Sequence, residues 1–173
     1  MDIPIQHCDG KILKRMNRTG DEKKLRSLIA HIRDVIPDIT LRTTLITGFP
    51  GETEADFEAL HKFVHDIKFD RLGCFAFSPE EGTIAATLDG QLDEQTKIDR
   101  MEHIMETQMT VSEELNAKKL GTTKEVLIEG YDDFIKCYFG RSEADAPEID
   151  GKIFFMHTDP LTYANTAVFK LVE

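Results

Sequence analysis

The sequence predicts an α/β unit followed by a small all-β domain. Over the first ~90 residues, β-rich runs alternate with amphipathic helical runs across short connections. That order builds parallel strands through right-handed crossovers. A long helix from Asp93 to about Lys118 closes this part, and Gly121 marks a change of regime. From there the chain reads as strands of four to six residues bounded by Gly, Asp and Pro, the pattern of a small antiparallel β-barrel or sandwich. The expected domains are therefore 1–119 and 120–173.

The elements follow in order. "DIPIQH" reads as a short strand running into a loop at Asp9-Gly10. A helix over 21–36 carries Leu25, Leu28, Ile29, Ile32 and Ile36 at helical spacing, and Pro37 closes it. "ITLRTTLITG", 39–48, is a β-rich run ending in the tight turn Gly48-Phe49-Pro50-Gly51. Thr53 is placed to cap the next helix, 54–67, with Asp56 at the reciprocal position of a capping box. That helix sets Phe57, Leu60, Val64 and Ile67 on one face, and "FDRLGCFAF", 69–77, is the next strand. The loop "SPEEGTIAATLDGQL" leads to the long helix, whose core side is expected to carry Ile98, Met101, Met105, Val111 and Leu115.

Composition excludes several classes. No apolar run approaches the ~20 residues of a membrane span. The start lacks the basic and apolar regions of a signal peptide, so the expected location is the cytoplasm. The net charge is −11, with 15 basic against 22 acidic residues in 1–118 and 6 against 10 in 119–173. Both parts are acidic, which argues against a dominant nucleic-acid surface. A local basic cluster remains at Lys11, Lys14, Arg15 and Arg18. Cys8, Cys74 and Cys137 are too far apart in sequence to read as a metal-ligand spacing, so no metal ligand is assigned.

Period-two alternation sorts the strand at 40–48 into two faces. Leu41, Thr43, Leu45 and Thr47 form one; Arg42, Thr44, Ile46 and Gly48 form the other, which suits a cavity for a polar ligand. The "GFPGET" turn lies at the strand's C-terminal end, where α/β folds bind ligands, and the helix after it offers free N–H groups. It lacks the Lys-Ser/Thr of a P-loop. Gln6 and His7 stand at another strand end. No Ser/His/Asp or Cys/His constellation can be assembled, so no catalytic residue is assigned. In the β domain, "FGRSEADAPEIDG" sets Arg141 before four carboxylates, Glu143, Asp145, Glu148 and Asp150. Such a loop reads either as a solvated turn or as a docking surface for something basic.

Four motifs together resemble a known family. "DIPIQHCDGKILKRMNR", "LRTTLITGFPGETEADF", "FDRLGCFAFSPEEGT" and "GRSEADAPEIDG" occur in the order found in the radical S-adenosylmethionine methylthiotransferases. "GFPGET" is shared widely in that family, whereas "DAPEIDG" resembles the branch that modifies ribosomal protein S-twelve. The resemblance runs over about residues 2–160. It implies the second half of a (β/α) radical-SAM barrel, followed by a TRAM domain, an OB-like β-barrel that recognises substrate. It also implies S-adenosylmethionine and two [4Fe–4S] clusters in the full-length family. The family's cluster ligands, a Cys-x3-Cys-x2-Cys loop and three cysteines of an N-terminal domain, are not in this sequence, so the chain reads as a fragment or truncated product, inactive alone. Its end departs from the family where a Gly-Asp turn is expected after Pro160-Leu161; Pro79 and Ile84 are also atypical.

By that resemblance, Gln6 and His7 sit near the cofactor, Arg42, Thr44, Ile46 and Gly48 line its cavity, and Phe75 and Phe77 lie near the adenine. The implied reaction adds a methylthio group to the β-carbon of an aspartate on a basic protein of the small ribosomal subunit. Arg141, Glu143, Asp145, Glu148 and Asp150 are the expected docking residues. Two other readings are a tRNA-modifying enzyme of the same family, disfavoured by the acidic β domain, and a non-catalytic docking module.

Overall fold

The computed structural model describes residues 1–157, 161 and 166–171. The chain divides into two compact units, Met1–Leu115 and Asn116–Glu173. The first holds α1 (Gly10–Arg15), α2 (Glu22–Val35), β1 (Arg42–Thr47), α3 (Glu54–Ile67), β2 (Arg71–Ala76), α4 (Ile84–Thr87) and most of α5 (Glu94–Lys119). The second holds β3 (Thr123–Asp132), β4 (Cys137–Arg141), β5 (Ile153–Phe155) and β6 (Thr166–Lys170).

β1 and β2 pair in parallel, with Arg42 opposite Arg71, Thr44 opposite Gly73 and Ile46 opposite Phe75. The opening segment lies along the other side of β1 as two parallel bridges, at Asp2 with Arg42 and at Gln6 with Leu45. It is not the regular strand that the sequence suggests. Pro4 has no N–H to give to a ladder, and Gln6 takes a left-handed conformation at φ 68°. Backbone bonds still anchor it: the Gln6 N–H donates to Thr44 O at 2.9 Å, and the Ile46 N–H donates to Gln6 O at 2.8 Å.

Asp9, read from sequence as part of a loop, caps a helix instead. Its Oδ1 accepts the N–H groups of Lys11 and Ile12 at 2.8 and 3.1 Å. Six residues are too few for apolar periodicity to reveal α1; the Asp-Gly start was the available signal. α3 opens on the full reciprocal box between Thr53 and Asp56. Its first-turn Asp56 also takes the Lys11 ammonium at 2.8 Å. The four-residue α4 sits within the stretch expected to be plain loop, capped by Thr83.

The core of this unit packs one face of α3 and β1 around Leu41, Leu45, Leu60, Phe63, Val64 and Phe69. Alternation holds along β1: Leu41, Thr43, Leu45 and Thr47 are buried, while Arg42, Thr44 and Ile46 are partly open; Gly48, expected on the open face, is buried. α2 is covered less than its periodicity implies, with Ile29 buried but Leu28 and Ile36 exposed.

α5 corrects the sequence reading. Asp93 caps it, accepting from the Thr96 N–H and hydroxyl at 2.9 and 2.7 Å. Its buried stripe, however, is Lys97, Arg100, Ile104, Gln108 and Val111. Met101 and Met105 only flank the core, and Ile98 and Leu115 are half-buried. Weighing only apolar residues rotates the helix by one position, because three of the five most buried side chains are polar.

The second unit's described strands form one antiparallel sheet in the order β5-β4-β3-β6. A register shift between Ile128 and Gly130 marks a bulge that bends β3. Gly130 is needed because the Phe139 ring lies over it; a Cβ there would meet that ring at 2.4 Å. Val126, Ile128 and Phe155 make the core, with Phe155 stacked on Phe169 at 4.0 Å between ring centroids. The expected family turn after Pro160-Leu161 lies outside the described residues.

α3 and α5 meet at a histidine pair. The His61 and His103 rings are 4.5 Å apart, and the His61 Nε2 lies 2.7 Å from the Thr107 hydroxyl. Burial, then the neighbouring His103, push the His61 pKa below its ordinary 6.5. The folded chain thus binds fewer protons here than the unfolded one. His61 should favour folding fully above about pH 6.5 and oppose it increasingly as pH falls through the lowered value. Thermal melts between pH 5 and 8 should show His61→Gln flattening the acid-side fall in Tm; an unchanged slope would show that the pair does not titrate.

Candidate functional site

The strand-end turn is built on a buried carboxylate. β1 ends at Thr47, and Gly48 and Gly51 turn the chain at φ 71° and 84°. Glu52 then points back under the turn, with its side chain wholly buried. Its two carboxylate oxygens accept the Gly48 N–H at 3.1 and 3.0 Å. Arg100 on α5 donates from Nη1 to Glu52 Oε1 at 2.7 Å and to the Glu52 carbonyl at 3.2 Å. Its Nη2 reaches Glu54 Oε2 at 2.7 Å.

His7 completes the cluster from the opening segment. Its Nδ1 accepts the Asp9 N–H at 2.9 Å. In a neutral ring that places the proton on Nε2, which lies 3.3 Å from Glu52 Oε2. No hydrogen bond forms between them, so ring and carboxylate meet only as a close buried contact. Three segments that are distant in sequence converge on one anion.

α5 approaches this turn as closely as glycine allows. A Cβ on Gly48 would lie 2.4 Å from the Lys97 Cγ. The Thr47 hydroxyl donates to the Lys97 carbonyl at 3.4 Å. The Gly48 close approach visible here is therefore to a helix.

Above the turn lies an open cavity of about 710 Å³. Gln6, Ile46 and Phe49 meet there, with Arg15, Asn17 and Arg18 along the rim. Gln6 reaches it through its strained backbone, a feature that clusters at ligand sites. Thr44 shares the open face of β1 with Ile46, and Phe75 stands across from Ile46, 61 % exposed. Phe77 does not line the cavity itself; it is buried edge-on against Phe49, 5.0 Å between ring centroids, in the cluster that also holds Ile46. Arg42 begins β1, about 13 Å of strand before Ile46, and does not line the cavity. His7 is buried below it. Of the eight residues expected to hold a cofactor, the structure gathers Gln6 and Ile46 at this cavity, with Thr44 and Phe75 on the adjoining face.

Glu52 and Arg100 were not singled out by the sequence reading. The signal for Glu52 was its place in "GFPGET". For Arg100 it was an ionisable residue on the stripe 97, 100, 104, 108, 111.

In the β domain, the acidic loop uses part of its charge on itself. Asp145 Oδ2 accepts from the Ser142 hydroxyl and N–H at 2.7 and 3.0 Å. Asp150 Oδ2 accepts the Ala146 N–H at 2.6 Å. Arg141 donates to Glu129 at 2.7 Å. Glu143 and Glu148 are exposed, the latter at φ 62°.

The cysteines are dispersed. Burial pushes the thiols of Cys8 and Cys74 up to about 12, and Cys137 is half-buried in the other unit. Among the described residues no three His, Cys, Asp or Glu are placed to hold a metal ion, so the residues present do not fit an iron–sulfur cluster. Among them, too, no helix is long and apolar enough to cross a membrane.

Both units resemble known proteins. The Radical SAM superfamily model matches residues 1–64, and the TRAM domain model matches 120–169. Among curated relatives, the ribosomal protein uS12 methylthiotransferase RimO of Geobacter sulfurreducens is 47% identical over 155 residues, covering 89% of this chain and 35% of that protein. The protein of the same name from Clostridioides difficile is 50% identical over 161 residues, 92% of this chain and 36% of that one. The chain thus spans about a third of the length of the curated relatives it matches. Among solved structures, coproporphyrinogen III oxidase (HemN) from Escherichia coli, described as a radical SAM enzyme, superposes with a TM-score of 0.53 at 22% identity, over 64% of this chain and 26% of that one. That likeness shows the fold.

Glu52→Gln keeps the side-chain shape but removes the buried countercharge of Arg100, leaving it only the largely exposed Glu54. It should cost about 3 kcal/mol or more of stability. The double variant Glu52→Gln/Arg100→Met should recover a large part of that loss. Urea titrations of the three proteins measure this; equal stability of Glu52→Gln and the parent would contradict it.

Proposed function

We propose that this chain, which belongs by sequence with the radical SAM methylthiotransferases, forms the cofactor-facing strand ends and the substrate-selecting β domain of an enzyme that adds a methylthio group to ribosomal protein uS12. One observation carries the reading. Identity of 45–50% runs along about nine-tenths of the chain, through both the strand-end turn and the acidic loop.

The chain's own residues have separable tasks. Gln6 and Ile46, with Phe49, would hold the nucleoside part of S-adenosylmethionine in the strand-end cavity, and Thr44 and Phe75 would flank it. Bound there, S-adenosylmethionine supplies a radical precursor. Gly48 and His7 act beneath the cavity: they fix the turn through Glu52. The iron–sulfur clusters that the family uses would take their ligands from stretches of the longer proteins, since Cys8 and Cys74 are buried with raised thiol pKa values.

Substrate selection belongs to the β domain. A small-subunit ribosomal protein is basic, and an acidic loop steers its approach. Asp145 and Asp150 are already committed to the loop's own hydrogen bonds, so Glu143 and Glu148 are the side chains that would meet the partner. The acidic balance of residues 119–173 favours a protein substrate over tRNA.

Charge reversal at the two exposed positions separates docking from loop folding. Glu143→Lys/Glu148→Lys should weaken binding to purified ribosomal protein uS12 on the order of 10-fold at low salt and lessen its salt dependence. Fluorescence anisotropy across a salt series reads both. Tighter binding of tRNA than of the ribosomal protein would overturn the assignment.

A further inference from the structure

We propose that His61 and His103 form a two-imidazole site for one divalent transition-metal ion, Zn²⁺ or Cu²⁺, that clasps α3 to α5. Neither residue lines the strand-end cavity, so the inference is independent of how that cavity is read. The two rings come from different helices and stand 4.5 Å apart between centroids, tilted by 49°.

Hydrogen bonding fixes which nitrogen of His61 is available. The Thr107 hydroxyl has one proton and donates it to the His103 carbonyl at 3.0 Å. Toward His61 Nε2, 2.7 Å away, the same hydroxyl is therefore the acceptor. Nε2 carries the ring proton, and Nδ1 of the neutral ring keeps its lone pair. A metal-binding histidine is oriented in this way, by donating its second ring N–H to an oxygen. His103 is exposed, so rotation about its side-chain torsions can bring a nitrogen to the same ion. Phe57, 4 % exposed, forms an apolar floor to the pair, with its ring centroid 6.4 Å from that of His61 and 5.8 Å from that of His103. Such a floor keeps water from one side of a bound ion.

The donor set selects the metal. Imidazole nitrogens suit Zn²⁺ and Cu²⁺, whereas Mg²⁺ and Ca²⁺ take oxygen ligands. Among the described residues no third His, Cys, Asp or Glu completes a metal site, so water fills the remaining positions. His65, one turn further along α3, lies instead beside Asp66, its Nδ1 3.6 Å from Oδ1. Only the folded chain brings the two helices together, so an ion bound across them favours the fold.

The test uses this chain without an affinity tag, ¹⁵N-labelled and titrated with Zn²⁺, Cu²⁺ and Mg²⁺. Calorimetry should find Cu²⁺ binding more tightly than Zn²⁺, and Mg²⁺ should leave the ring signals of His61 and His103 unmoved. In the Zn²⁺ form, ring ¹⁵N shifts should show His61 metallated at Nδ1 with Nε2 still protonated. His61→Gln and His103→Gln should each weaken Zn²⁺ binding at least about 10-fold, whereas His65→Gln and His31→Gln should leave it within about twofold. Thr107→Val, which removes the orienting acceptor, should weaken it as well. His103 is exposed, so its variant removes a ligand without disturbing the core; Zn²⁺ should raise the Tm of the parent and not that of His103→Gln. Undiminished Zn²⁺ binding in His103→Gln, an equal loss in His65→Gln, or a protonated Nδ1 on His61 in the Zn²⁺ form would overturn the site.

Discussion

A single buried carboxylate organises the first unit. Glu52 ties the end of β1 through the Gly48 N–H, α5 through Arg100 and the opening segment through His7. Burying an anion is costly unless charge and hydrogen bonds compensate it. Here an arginine at 2.7 Å and the Gly48 backbone donor do so. The arrangement is a poor source of net stability compared with an apolar core of equal size. Its value is geometric. Removing Glu52 or Arg100 strips the other of its closest buried countercharge, which holds the turn to one arrangement.

The cavity follows from that conformation. The turn sets the position of Phe49 and the last open-face residue of β1, Ile46. The opening segment, pinned below by His7, brings Gln6 to the same place in a left-handed backbone. Polar machinery beneath the surface thus positions a mostly apolar floor above it. The basic rim comes from a different device, the closure of α1, which is set by backbone bonds and is independent of the Glu52 cluster.

Much of this was legible in the sequence. The alternation on β1 assigned both faces, the capping box at Thr53 and Asp56 formed in full, and the switch to short strands after Gly121 marked the β domain. What escaped has a common cause. Periodicity arguments weigh apolar residues, so α5 was rotated onto Ile98 and Met105 when its buried stripe carries Lys97, Arg100 and Gln108. Likewise, Glu52 passed as a loop residue because its partners lie at positions 7, 48 and 100. Short elements such as α1 carry too few residues for any period. The acidic loop shows the converse: Asp145 and Asp150 read as surface charge, yet the structure spends them on local backbone bonds.

Amide hydrogen exchange at Gly48 addresses the central claim most directly. If Glu52 holds the turn, the Gly48 N–H exchanges slowly in the parent chain, near the rate of core amides such as Val64. In Arg100→Met, where Glu52 loses its countercharge, Gly48 exchange should accelerate by one to two orders of magnitude, about 1.4 kcal/mol per order, while Val64 changes far less. Rapid exchange of Gly48 in the parent chain, or no acceleration in the variant, would show that the turn stands without the carboxylate.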